Sequence, residues 1–326
     1  MQYSYSNMSI PLQSARLTQP TNTPTTQRGW TFHVALQLGR VSNLPTVWTN
    51  TLAGIVLTGI VVSPALAAVL VLAMSLAYTG GMYLNDAFDR DIDALERAER
   101  PIPAGKVAAR DVFLAGFFML SVTVLLVTSI GGRQSNGLAS LAGSTALAIA
   151  IVSYNVWHKG NPLSPVLMGL CRMLVYVSCA LTLTIALPAL LLLGAAVTFS
   201  YLIGLTYTAK QEKFGHVSTL WPLACLAAPV IFGLVTAGSS VLTWTSTVAV
   251  CGWTLYCLQL VMRRKPGDIP KAVTGLIAGI ALIDGLLITI AANTYRYSST
   301  STIIMVGTCW LAFALTLKLQ RYISGT

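Results

Sequence analysis

From Val41 towards the C-terminus, apolar runs of about twenty residues follow one another with only short polar breaks. A helix of that length covers the roughly 30 Å hydrocarbon core of a bilayer, whereas a spanning β-strand needs alternating polarity over about ten residues. The runs are continuous, near 44–63, 66–84, 112–130, 138–157, 164–184, 187–208, 219–237, 242–262, 272–292 and 302–318. They predict an all-α integral membrane protein with ten spanning segments. Only 9% of the chain is charged, against 55% hydrophobic, and mean hydropathy is +0.70. Soluble domains are about 25% charged. A chain this apolar cannot cover a water-facing surface, which excludes a soluble globular enzyme.

The net charge of +10 would suggest nucleic acid on a soluble domain. Here the basic residues follow the loops instead. With the N-terminus in the cytoplasm and the spans alternating, seventeen of the 20 Lys and Arg residues fall inside, Arg133 and Arg296 fall outside, and Arg172 lies within a span. That asymmetry sets orientation. The expected partner is therefore the lipid bilayer and not nucleic acid. Residues 1–29 are rich in Ser, Thr and Gln, contain no acid and lack the apolar core of a secretory signal. Residues 1–40 are expected to be a disordered cytoplasmic tail ahead of a transmembrane domain over 41–326. An organelle transit peptide shares this composition and stays open. The six cysteines lie in apolar stretches without metal-ligand spacing, as small packing residues do.

Of the ten acidic residues, six lie between Asp86 and Glu99. The stretch reads Asn85-Asp86-Ala87-Phe88-Asp89-Arg90-Asp91-Ile92-Asp93. On a helix Asp86, Asp89 and Asp93 share one face, and Asp91 points away. Three carboxylates on one face repel one another, and the repulsion must be offset. Mg2+ can do so, because it takes oxygen ligands and keeps phosphates in its shell. Pairing of a solvated loop with Arg90, Arg97 and Arg100 is the plainer alternative.

This Asn-Asp-x-x-Asp-x-x-x-Asp pattern is followed by Arg100-Pro101-Ile102-Pro103-Ala104-Gly105-Lys106. Together they resemble the first aspartate-rich motif of the UbiA superfamily of intramembrane prenyltransferases. The helical body from about 40 to 292 fits that layout, and Tyr154–Arg172 with the run near Glu212 resembles the EboC-like branch. The resemblance implies nine or ten transmembrane helices around a central cavity. It also implies Mg2+ as cofactor, an allylic prenyl diphosphate as donor, and a lipophilic or aromatic acceptor. Asp86, Asp89 and Asp93 would then be the catalytic and metal-binding residues, flanked by Asn85. Physical chemistry agrees. Neutralising the leaving group promotes ionisation of an allylic diphosphate, and an apolar cavity keeps the cation from water. An isoprenoid tail prefers hydrocarbon by about 0.8 kcal/mol per CH2.

The further candidates are weaker. Tyr154 and Lys159 end the fourth span, and Lys159 either touches diphosphate or anchors the helix at the membrane surface. Where the family carries a second aspartate-rich motif, this chain has Tyr207-Thr208-Ala209-Lys210-Gln211-Glu212-Lys213. Glu212 is there the lone candidate metal ligand, and Lys210 and Lys213 are candidate direct phosphate contacts. Arg172 either faces a phosphate or an acceptor carboxylate, or forms a buried ion pair. Asn50 either lines the cavity or bonds a neighbouring helix. Asp284 is expected to pair with a polar neighbour. The missing second motif leaves a second function class open, a non-catalytic binder or transporter of an isoprenoid or aromatic metabolite. A helical assembly subunit is a third.

Overall fold

The computed structural model describes residues 29–211, 221–263 and 265–323. The described residues form α1 (Phe32–Leu38), a 3-10 turn (Val41–Asn43), α2 (Leu44–Val56), α3 (Pro64–Glu96), α4 (Ala109–Arg133), α5 (Gly137–Trp157), α6 (Ser164–Leu183) and α7 (Ala189–Gln211). A 3-10 segment (Trp221–Ala227) then leads into α8 (Ala228–Thr236), α9 (Val241–Arg263), α10 (Asp268–Tyr295) and α11 (Ser299–Leu319). Eight of these helices, α3 to α7 and α9 to α11, are long and apolar enough to cross a membrane.

The two remaining apolar runs form shorter helices. The run near 44–63 stops being helical at Val56. Gly59 then adopts φ +76°, which side-chain-bearing residues rarely do, and a Cβ there would lie 3.0 Å from the Tyr295 ring. A new helix begins at Ser63, whose hydroxyl accepts from the Leu66 N–H, with Pro64 at its first position. The run near 219–237 divides into the 3-10 segment and α8.

Of the tail expected over 1–40, residues 1–28 lie outside the described residues, while part of the rest is helix. Thr31 caps α1, and Val34 and Leu38 are buried with Tyr83, Ala87, Val107 and Val112. Trp30 stacks on Tyr83 with ring centroids 5.9 Å apart. The Ser/Thr/Gln-rich composition of residues 1–29 obscured this short apolar stripe.

Helix α10 sits at the centre: 94% of its apolar window is buried, against 22–50% for the other spanning helices. An all-round apolar helix needs an all-round cover. Its small residues let neighbours approach closely. A Cβ on Gly275 would stand 2.8 Å from Cys257 Sγ on α9, and one on Gly279 would stand 3.0 Å from Trp253. Gly275→Val is therefore expected to destabilise the bundle by about 1–3 kcal/mol through overpacking. Thermal unfolding in neutral detergent checks this, and an unchanged midpoint would refute the α9–α10 contact.

Candidate functional site

Helix α3 has 33 residues, about 50 Å of helix, so it is longer than the bilayer core is thick. Its last turns carry Asn85, Asp86, Asp89 and Asp93. Helical spacing puts all four on one inward face, where they are 6%, 5%, 4% and 2% exposed. Asp91 points out and, among the described residues, pairs with Arg90 at 3.5 Å, where both are exposed.

The repulsion among the three carboxylates is offset by the chain's own cations. Asp86 Oδ1 accepts from Arg40 Nη2 at 3.1 Å and from Arg100 Nη1 at 3.2 Å. The same Arg100 nitrogen donates to Asp93 Oδ2 at 2.7 Å. Asp89 Oδ2 lies 3.2 Å from Lys159 Nζ and 3.3 Å from His158 Nε2. Of the pairings considered from sequence, that with Arg100 forms on the inward face and that with Arg90 forms at the surface, with Asp91. Arg40 and His158 were not foreseen as partners.

Local structure explains how these cations arrive. Arg100 opens a compact turn in which Ala104 N bonds Arg100 O and Lys106 N bonds Pro101 O. That turn folds the chain back over the end of α3. Arg40 sits between α1 and the 3-10 turn in a left-handed conformation, φ 41° and ψ 49°, which costs a side-chain-bearing residue about 1–2 kcal/mol. From there its Nη2 reaches both Asn85 Oδ1 and Asp86 Oδ1 at 3.1 Å. Burial works against the Arg40 charge, but the Asp86 carboxylate, together with Tyr78 and Tyr154, holds the guanidinium pKa above its ordinary value. Asn85 Nδ2 donates to Asn155 Oδ1, and Asn155 Nδ2 donates to Gly81 O, which ties α3 to α5.

Beside this cluster lies a cavity of about 620 Å³. Asn85, Asp89, Asp93, Tyr154, Lys159, Arg172 and Lys210 line it, and Met74, Leu147, Val175, Leu202 and Ile280 give it apolar walls. Tyr154 stacks on His158 at 4.9 Å. Lys210 Nζ donates to Asn161 O at 2.5 Å. Asp86 is not among the lining residues and stands behind its two arginines.

Asn50, read from sequence as either a cavity residue or a bond to a neighbouring helix, is fully buried and absent from the lining. It takes the second role, bonding Arg172, Tyr176 and Asp284 on neighbouring helices. Glu212 and Lys213 lie outside the described residues. Asp284, expected to pair with a polar neighbour, accepts from Thr49 Oγ1 at 2.5 Å, from Asn50 Nδ2 at 2.9 Å and from the Tyr176 hydroxyl. Thr49 and Tyr176 carried no sequence signal beyond being polar in apolar runs.

Among the described residues, no three His, Cys, Asp or Glu side chains converge as a ready-made metal cage. The donors at the cavity are nonetheless carboxylate oxygens, which suit Mg2+, and Mg2+ is commonly held by one or two carboxylates together with substrate phosphate. Asp89 and Asp93 fit that role. Arg100 joins two buried carboxylates, so Arg100→Gln is expected to destabilise the metal-free protein by about 3–5 kcal/mol. Added Mg2+ should recover part of that loss in thermal unfolding. A wild-type melting curve would show that the bridge carries no stability.

Residues 47–201 match the family model described as the UbiA prenyltransferase family. Protoheme IX farnesyltransferase of Bartonella quintana (strain Toulouse) is 29% identical over 139 residues, 42% of this chain and 43% of that protein. Digeranylgeranylglyceryl phosphate synthase of Methanosarcina mazei is 33% identical over 99 residues, 30% of this chain and 32% of that protein. The chain thus spans less than half the length of these curated relatives. A solved UbiA homologue from Archaeoglobus fulgidus bound to GPP and Mg2+ superposes with TM-score 0.56 at 14% identity, over 81% of this chain and 100% of that one. The same homologue bound to DMAPP and Mg2+ gives TM-score 0.57 at 13% identity, over 81% and 99%. At such identity the structural likeness shows the fold alone. Residues 47–201 thus resemble the UbiA prenyltransferase family, and four fifths of the chain shares the fold of a solved UbiA homologue.

Proposed function

We propose that this protein is a Mg2+-dependent intramembrane prenyltransferase that moves a prenyl group from an allylic prenyl diphosphate to a lipophilic or aromatic acceptor. The observation that carries the reading is the buried face of α3, where Asp89 and Asp93 open onto a cavity with apolar walls. The named relatives, a farnesyltransferase and a digeranylgeranylglyceryl phosphate synthase, support the reaction class. The homologue bound to GPP and Mg2+ supports the donor class and the cofactor.

In this reading Asp89 and Asp93 hold the metal, with Asp86 behind them and Asn85 beside them. Glu212, which lies outside the described residues, is a further candidate ligand. Bound Mg2+ supplies charge neutralisation to the departing diphosphate. Lys159 and Lys210 add positive charge at the same end of the cavity. The allylic C–O bond breaks with its electron pair on diphosphate, the apolar wall excludes water from the cation, and an electron-rich acceptor atom attacks and sheds a proton. Tyr154 forms part of the wall near the reacting end. We read α2 and the 221–236 segment as completing nine or ten spans around a central cavity. The N-terminus and the aspartate-bearing end face the cytoplasm, as the basic loops favour. Placement in the EboC-like branch rests on the resemblance of the Tyr154–Arg172 run and the run near Glu212.

A second reading has one observation in its favour: each aspartate of the motif already has an internal cation. A binder or transporter of isoprenoids would keep such pairs intact. Purified protein given a panel of allylic diphosphates separates the two. The enzyme reading expects diphosphate release that requires Mg2+ and stops with EDTA. Mg2+-independent binding without release, or flux across proteoliposomes, would favour the alternative.

A further inference from the structure

Eight residues into α6, about 12 Å along the helix from its start, Arg172 lines the cavity deeper than the Asp89–Lys159 pair does. An arginine inside a membrane bundle is costly unless its charge is answered. None of the ion pairs found among the described residues involves Arg172. The carboxylate coupled to it, Asp284 of α10, is reached through an intervening amide. Asn50 Nδ2 donates to Asp284 Oδ1 at 2.9 Å, and Asn50 Oδ1 accepts from Arg172 Nη1 at 2.9 Å. The Asp284 carboxylate can only accept, so it fixes which way the Asn50 amide faces and keeps an oxygen turned towards Arg172. Thr49 and Tyr176 pin the carboxylate in turn.

The rest of the guanidinium is held from one side. Thr46 meets Nη1 with its carbonyl at 3.3 Å and Nη2 with its hydroxyl at 3.0 Å, and the cation lies over the Tyr78 ring at 5.9 Å. These bonds engage three of the five N–H donors an arginine carries and leave the edge formed by Nε and Nη2. That is the edge with which Arg263 of this same chain grips the Asp268 carboxylate, at 2.7 Å through both nitrogens.

We propose that Arg172 is a second anion-recognising group of the cavity, separate from the aspartate-rich end, and that it takes a carboxylate or phosphate of the acceptor through its Nε/Nη2 edge. Asp284 acts through Asn50 as its positioning residue. That the anion belongs to an acceptor rests on the prenyltransferase reading; that Arg172 binds an anion does not. A direct Arg172–Asp284 pair would quench the charge, whereas the interposed amide holds the cation in place and leaves its fork available. The acceptor class that follows is an amphiphile with an anionic head and an apolar body.

The test uses full-length protein in neutral detergent without Mg2+ or prenyl donor, so its outcome is independent of whether diphosphate is turned over. Dodecanoate, dodecyl phosphate and dodecanol are titrated calorimetrically, with dioleoylphosphatidylglycerol as the bilayer-lipid arm. Wild type is expected to prefer one or both single-chain anions over dodecanol by about tenfold. Arg172→Gln should remove that preference and leave dodecanol unchanged, and Asp284→Asn should weaken it several-fold. If Arg172→Gln does not fold, Arg172→Lys decides, since it keeps the charge and loses the fork; a preference retained in full overturns the proposal. So does a wild type without preference, an anion confined to phosphatidylglycerol, or a preference that survives Arg172→Gln and disappears in Lys210→Gln. An Asp284→Asn variant with wild-type preference overturns the positioning role.

Discussion

Asp93→Asn is expected to lower prenyl-transfer turnover at saturating donor by about a hundred- to a thousand-fold while the protein stays folded. The asparagine keeps an oxygen for Arg100 Nη1, now 2.7 Å from Asp93 Oδ2, so the turn after α3 remains anchored. What it removes is one negative charge at the cavity, where Asp93 is 2% exposed. A solvated loop would tolerate that change. A metal–diphosphate site would not, because the charge of the leaving group is stabilised by few groups in a medium of low dielectric. Asp93→Ala should be as inactive and also less stable, since it leaves Arg100 with one carboxylate instead of two. Initial rates of diphosphate release, with circular dichroism as the folding control, give the answer. Turnover within about threefold of wild type in Asp93→Asn would place the chemistry elsewhere.

A large loss of stability is also expected at Asp284. Asp284→Leu removes the acceptor of three side-chain donors, Thr49, Asn50 and Tyr176, at a position with no exposure. Each orphaned donor costs less in a membrane bundle than full desolvation suggests, so about 2–5 kcal/mol is expected in total. Asp284→Asn, which retains an acceptor, should lose far less. Reversible denaturation in mixed micelles measures both. Equal stability of the two variants would show that the buried carboxylate does not hold α2, α6 and α10 together.

What could be read in the sequence was local or periodic. Continuous apolar runs mark the eight long helices, and the i, i+3, i+7 spacing of Asp86, Asp89 and Asp93 marks one helix face because the period of a helix is known in advance. The run from Arg100 to Lys106 was conspicuous for the same reason: its residues are neighbours. The partners of those aspartates were not legible. Arg40 precedes Asp86 by 46 residues and reaches it only because α1 packs on α3. Asn50 and Asp284 stand 234 residues apart, and their bond exists because α10 lies against α2. Helix length misled where hydropathy could not register a turn: the apolar run near 44–63 conceals the left-handed Gly59 and the Ser63 cap that divide it. A polar residue in an apolar span, as Asn50 is, can line a cavity or bond a neighbouring helix, and only the packing of α2 against α6 and α10 decides for the bond to Arg172.

The central claim is that the buried face of α3 captures a metal-bound diphosphate at the mouth of an apolar cavity. The most direct test is an experimental structure with Mn2+ and a non-ionisable allylic thiolodiphosphate, using the anomalous signal of Mn2+ to locate the metal. The account predicts the metal on Asp89 and Asp93, the diphosphate beside Lys159, and the prenyl chain among Met74, Leu147 and Val175. A diphosphate bound elsewhere, with Arg100 still bridging Asp86 and Asp93 and no metal beside them, would contradict it.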